Sequence, residues 1–130
     1  MLGETAMLDH VISAILVIVG VINFVPVAGV LSSAALAKAY GIDPPTGDVL
    51  VLLRHRAVLF GIVGGFIITS AFLTYLQGAA VVMAYVSMLS YVQLAWNAGN
   101  ELLSIKKIDV VAILLLSIVP VLWMMTEIRA

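Results

Sequence analysis

Charged positions are bunched along this chain, and the runs between them are too apolar for a water-facing surface. No Asp, Glu, Lys or Arg occurs from Val11 to Ala37, and none from Ala57 to Asn100. About 20 predominantly apolar residues cross the hydrocarbon core of a bilayer as a helix. The first run holds one such span. The second is too long for one span and suits two, parted at "TYLQGAA" (Thr74 to Ala80), where Gln77-Gly78 is the turn-like pair. The pattern therefore predicts helices over roughly 7–31, 48–75, 78–99 and 106–126. That is an all-α, four-transmembrane-helix bundle, with residues 1–130 forming one integral membrane domain and no internal repeat. Pro26 should kink the first helix, and Asp48 should cap the second. The longest connection, "AKAYGIDPPTGD" (Ala37 to Asp48), reads as a turn segment too short for a domain.

Composition supports this reading and removes several functions. The chain is 64% hydrophobic and only 10% charged, whereas a soluble domain carries about 25% charged residues. A net charge of −1 predicts neither nucleic acid nor a polybasic tail. The absence of cysteine excludes a disulfide framework, a thiolate metal site and the four-helix membrane thiol oxidoreductases. The segment "MLGETAMLDH" has Glu4 and Asp9 in place of a positive n-region, so the first apolar run reads as a retained span.

Five of the six Lys and Arg residues flank two connections: Lys38, Arg54 and Arg56 the first, Lys106 and Lys107 the third. By the positive-inside rule those connections face the cytoplasm. Both termini then lie outside it, and the setting reads as a bacterial inner membrane. Trp96, Trp123, Tyr40 and Tyr75 fit interfacial belts.

Candidate chemistry centres on "LLRHRAVLFGIVGG" (Leu52 to Gly65). At about 100° per residue, Arg54 shares a face with Gly61. Ala57, Gly61 and Gly65 form a small-residue stripe that lets membrane helices approach closely. Arg54 is thus expected to point into the bundle and Arg56 to snorkel toward headgroups. On the third helix Ser90, Asn97 and Glu101 nearly align, flanked by Ser87, Gln93 and Asn100. Unpaired polar groups are costly in hydrocarbon, so this arc should face other helices or a wet cavity. Asn23 lies mid-span on the first helix.

Two readings of these residues stand. In the functional one, Arg54, His55, Asn97, Asn100, Glu101 and Asp109 form a ligand-binding pocket open to the cytoplasm, where arginine and a helix N-terminus receive an anionic lipid headgroup or phosphorylated amphiphile. In the structural one, Asp109 or Glu101 neutralises Arg54, Arg56 and the lysines are anchors, and the polar arc ties helices together. His55 is the candidate acid/base, though no Ser, Cys or carboxylate pair is clearly placed beside it. The two histidines, His10 and His55, lie toward opposite membrane faces and cannot share one haem. No metal-ligand cluster or phosphate loop is present, and no cofactor is expected. A proton-coupled exporter would carry a mid-membrane acid, and Glu101 and Asp109 fall near span ends. No mid-span lysine exists to hold retinal.

The segments "YGID" (Tyr40 to Asp43), "LLRHRAVLFGIVGGF" (Leu52 to Phe66) and "SMLSYVQLAW" (Ser87 to Trp96) resemble small bacterial four-helix membrane proteins, broadly similar to the DoxX-like families. The likeness covers most of the chain and implies a fold without implying a chemistry. Some members carry the label phosphopantetheine adenylyltransferase, an activity that resembles a soluble α/β domain with a His-x-Gly-His site, which this chain lacks. The leading expectation is a non-enzymatic membrane protein that binds a lipid-like ligand, a partner membrane subunit or its own copy. The alternative is a membrane enzyme acting on an amphiphile through His55, and the third class is a small transporter or channel.

Overall fold

The computed structural model describes residues 2–97 and 103–129. The chain is all-α: α1 (Leu2–Phe24), α2 (Ser33–Tyr40), α3 (Gly47–Ser70), α4 (Gln77–Ala95), α5 (Leu103–Leu116) and α6 (Ile118–Arg129). Four stretches are long and apolar enough to cross a membrane: Gly3–Val30, Gly47–Ser70, Thr74–Ala95 and Ile105–Ile128. This is the architecture of an integral membrane helix bundle. Its outer face carries Ile62, Phe72, Val86, Leu94 and Leu114, all exposed.

The spans close into a ring in which α1 packs on α3, α3 on α4, α4 on α5, and α5 with α6 back on α1. One core joins all four, through Leu16 and Val19 of α1, Ile67 of α3, Ala84 and Met88 of α4, and Ala112, Leu116 and Val119 of the last span.

Local sequence explains each irregularity. Pro26 cannot donate to the carbonyl four residues back, and the first span tightens there into a 3-10 segment, Val25–Val30. Pro120 has the same effect on the last span. It leaves the Leu116 carbonyl without its helical donor, and the helix breaks at Ser117 between α5 and α6. The Thr69 and Ser70 hydroxyls donate to the Gly65 and Ile67 carbonyls near the end of α3, and such back-bonding competes with the helical ladder. The second span ends there, several residues before the expected Tyr75.

Two further expectations are corrected. Asp48 lies inside the first turn of α3, and Thr46 occupies the N-cap without a side-chain bond. The first connection also contains a helix that the apolar pattern did not predict. The Ser32 hydroxyl accepts from the Ala35 amide to start α2, and Gly41, in the left-handed region at φ 66°, ends it. Leu36 of α2 buries itself against Gly29, so α2 folds back over one end of the bundle.

Candidate functional site

The placement of the site begins with the contact of α1 on α3. A Cβ on Gly64 would lie 2.6 Å from the Phe24 amide nitrogen and 2.7 Å from the Gly20 carbonyl oxygen, while one on Gly65 would meet nothing within 4 Å. Gly61 packs against the Val27 side chain, and Ala57 is buried. The packing seam is therefore Ala57, Gly61 and Gly64, and Gly65 is not part of it. Gly64 and Gly65 point about 100° apart around the helix, so exchanging one for the other swings the centre of the seam by roughly 30°, away from Arg54. With α2 and α4 also packed beside α3, the arginines are the reverse of the expectation. Arg54 and His55 are exposed, and Arg56 is half-buried and faces inward.

The Arg56 guanidinium meets three aromatic rings from three helices: Tyr91 of α4 at 4.6 Å, Phe60 of α3 at 5.1 Å and Tyr40 of α2 at 5.8 Å from the ring centroids. Ring faces attract a cation, and they give little opportunity for hydrogen bonding. Arg56 Nε is buried without a hydrogen-bond partner, as is the Tyr91 hydroxyl.

Arg56 stands between two hollows. On one side a cavity of about 350 Å³ lies between the end of the first span, α2, α3 and α5. Its wall is apolar apart from Asn23, Tyr40, Arg56 and Asp109. Asp109 is only 8% exposed. It interacts electrostatically with Arg56, yet among the described residues no salt bridge joins it to a cation. Asn23 is buried and donates to the Val19 carbonyl at 2.9 Å, which leaves its amide oxygen available. Val25 and Ile108, two of the lining residues, are exposed on the flank of the bundle, so the cavity opens sideways between the 3-10 segment and α5.

On the other side a groove of about 220 Å³ runs between α3 and α4, lined by Arg56, Leu59, Phe60, Val63, Ser87, Ser90, Tyr91 and Leu94.

Of the six ligand-binding candidates, Asp109 alone lines the cavity. Arg54 and His55 line neither hollow. Asn97 is exposed, and Asn100 and Glu101 lie outside the described residues. The polar arc of the third span turns mostly outward, with Ser90, Gln93 and Asn97 exposed and Ser90 donating to the Ser87 carbonyl. Tyr40 lies against Arg56, and Trp96 is exposed at the end of α4 with Lys106 5.7 Å from its ring. Arg56 carried a detectable signal: Phe60 follows it by four residues and so shares its helix face. Nothing in the linear order pointed to Tyr91. Among the described residues, no group of three or more His, Asp or Glu side chains is arranged to hold a metal ion.

Comparisons with protein-family models, with curated proteins and with solved structures found no match to this chain.

Proposed function

We propose that this protein binds an amphiphile from the surrounding membrane in the cavity between the first span, α2, α3 and α5. One observation carries the reading: a mostly apolar, sideways-open cavity is lined by a half-buried arginine and a buried carboxylate that form no salt bridge with each other. Small-molecule sites occupy about 300–1,000 Å³, with apolar walls and a few oriented polar groups. Paired charges inside hydrocarbon would neutralise each other directly, whereas these two are left for a guest. The headgroup that fits carries an acceptor for Arg56 and a donor for Asp109, and its tail leaves past Val25 and Ile108.

The Lys and Arg count favours placing this end of the bundle in the cytoplasm, and the resemblance to small bacterial membrane proteins implies a bacterial inner membrane. Transport finds less support, because the core beyond Asn23 is closed by buried Val19, Leu16 and Ile12. An acid/base role for His55 draws none from its exposed position.

Native mass spectrometry of protein released gently from its own membrane tests the proposal. A stoichiometric amphiphile is expected on the wild type. It should be depleted in Asp109→Asn, which removes the negative charge and replaces one acceptor oxygen with a donor, and in Ala35→Phe, which fills the cavity. A bare wild-type chain, or equal occupancy in all three proteins, would count against binding here.

A further inference from the structure

The groove between α3 and α4 has a chemistry opposite to that of the cavity. Among the described residues no carboxylate lines it, and its polar side chains are Arg56, Ser87, Ser90 and Tyr91. Tyr91 is only 7% exposed, and its hydroxyl is buried without a partner. Leaving such a donor unmade costs its full desolvation, so a tyrosine in this place calls for an acceptor that the described residues do not supply. The Ser90 hydroxyl already donates to the Ser87 carbonyl at 3.0 Å, which leaves Ser87, Tyr91 and Arg56 as the lining residues with donors still to be met.

We propose that this groove is a second site, sharing only Arg56 and Phe60 with the cavity, and that it holds the phosphodiester of an anionic membrane phospholipid. Arg56 supplies the countercharge, and planar guanidinium N–H groups suit phosphate oxygens. The Tyr91 hydroxyl supplies the hydrogen bond that it otherwise lacks. Leu59 and Leu94 are exposed beside these donors, one on each helix, and give an acyl chain an apolar track along the bundle. Trp96, exposed about one and a half turns beyond Tyr91 toward the helix end, marks the membrane interface, so the donors lie at the depth of lipid headgroups. A choline or ethanolamine cation would find no acidic partner among the described residues of the groove, whereas a net-negative headgroup finds Arg56.

The test is delipidated protein titrated with phosphatidylglycerol or phosphatidylcholine and read by native mass spectrometry, with inorganic phosphate as a third probe. Wild type should retain one phosphatidylglycerol in preference to phosphatidylcholine. Tyr91→Phe, which keeps the ring on Arg56 and removes only the hydroxyl, should weaken that retention about tenfold, the size of one charge-assisted hydrogen bond. Tyr75→Phe, at an exposed tyrosine near the other end of the bundle, should not. A thermal melt in detergent confirms that both variants fold. Equal retention of the two lipids, or an unchanged affinity in folded Tyr91→Phe, would overturn the site. Displacement of the lipid by millimolar inorganic phosphate would make it a site for the free ion and overturn the lipid assignment.

Discussion

Gly20 and Gly64 bring the backbones of α1 and α3 into direct contact: a Cβ on Gly20 would lie 3.0 Å from the Gly64 carbonyl oxygen and 2.9 Å from the Ile68 amide nitrogen. Backbone cannot yield as a side chain does, so even one methyl group forces the helices apart. Gly64→Ala should destabilise the bundle by about 1–3 kcal/mol, the usual cost of overpacking. Gly65→Ala, one residue on and facing open space, should leave stability unchanged or slightly raised, since alanine is the better helix former. Thermal unfolding in detergent reads both. Equal losses would mean that the seam has been placed one residue wrong.

The packing of α3 separates two arginines only two residues apart. Arg56→Gln should lower occupancy of both the cavity and the groove, because its guanidinium borders each. Arg54→Gln should lower neither. Ligand retention in mass spectra decides the matter, and a loss with Arg54→Gln would restore the inward arginine expected from the sequence.

Tyr85 and Ser117 share a hydrogen bond of 2.7 Å, and Ser117 donates in turn to the Ile113 carbonyl at 2.7 Å. With its only proton so engaged, the serine accepts from the tyrosine. The bond fastens α4 to the break between α5 and α6. Interhelical hydrogen bonds of this kind average about 0.6 kcal/mol in membranes. A double-mutant cycle on Tyr85→Phe and Ser117→Ala should return a coupling of that order, and additive losses would show that the contact contributes nothing.

Because the chain contains no cysteine, single-cysteine variants report its orientation cleanly. Lys38→Cys on α2 should react with a membrane-impermeant maleimide only after the cytoplasmic face is opened. Gly78→Cys, where an added side chain meets nothing within 4 Å, should react in intact cells. The reverse pattern would invert the topology.

The four spans and their order follow from the sequence alone, because apolar length and Pro26 act within a few residues. Two breaks do not: the second and third spans part at Ala71–Leu73, with Gln77-Gly78 opening α4, and the last span, expected as one helix over 106–126, is interrupted at Ser117. Even the overlooked α2 had local markers in Ser32 and Gly41, obscured by the search for long apolar runs. Which face each helix buries is a different kind of fact. In hydrocarbon every side of α3 is apolar, so the choice between the Gly61–Gly65 and the Gly61–Gly64 stripes depends on where Gly20 of another helix lies. That contact, together with the packing of α2 and α4 beside α3, put Arg56 inward and Arg54 out. The ring of helices then brought Tyr40, Tyr91 and Asp109, distant in the chain, around one guanidinium. No periodicity records that meeting, because it depends on the relative rotation of four helices whose outer faces are chemically alike.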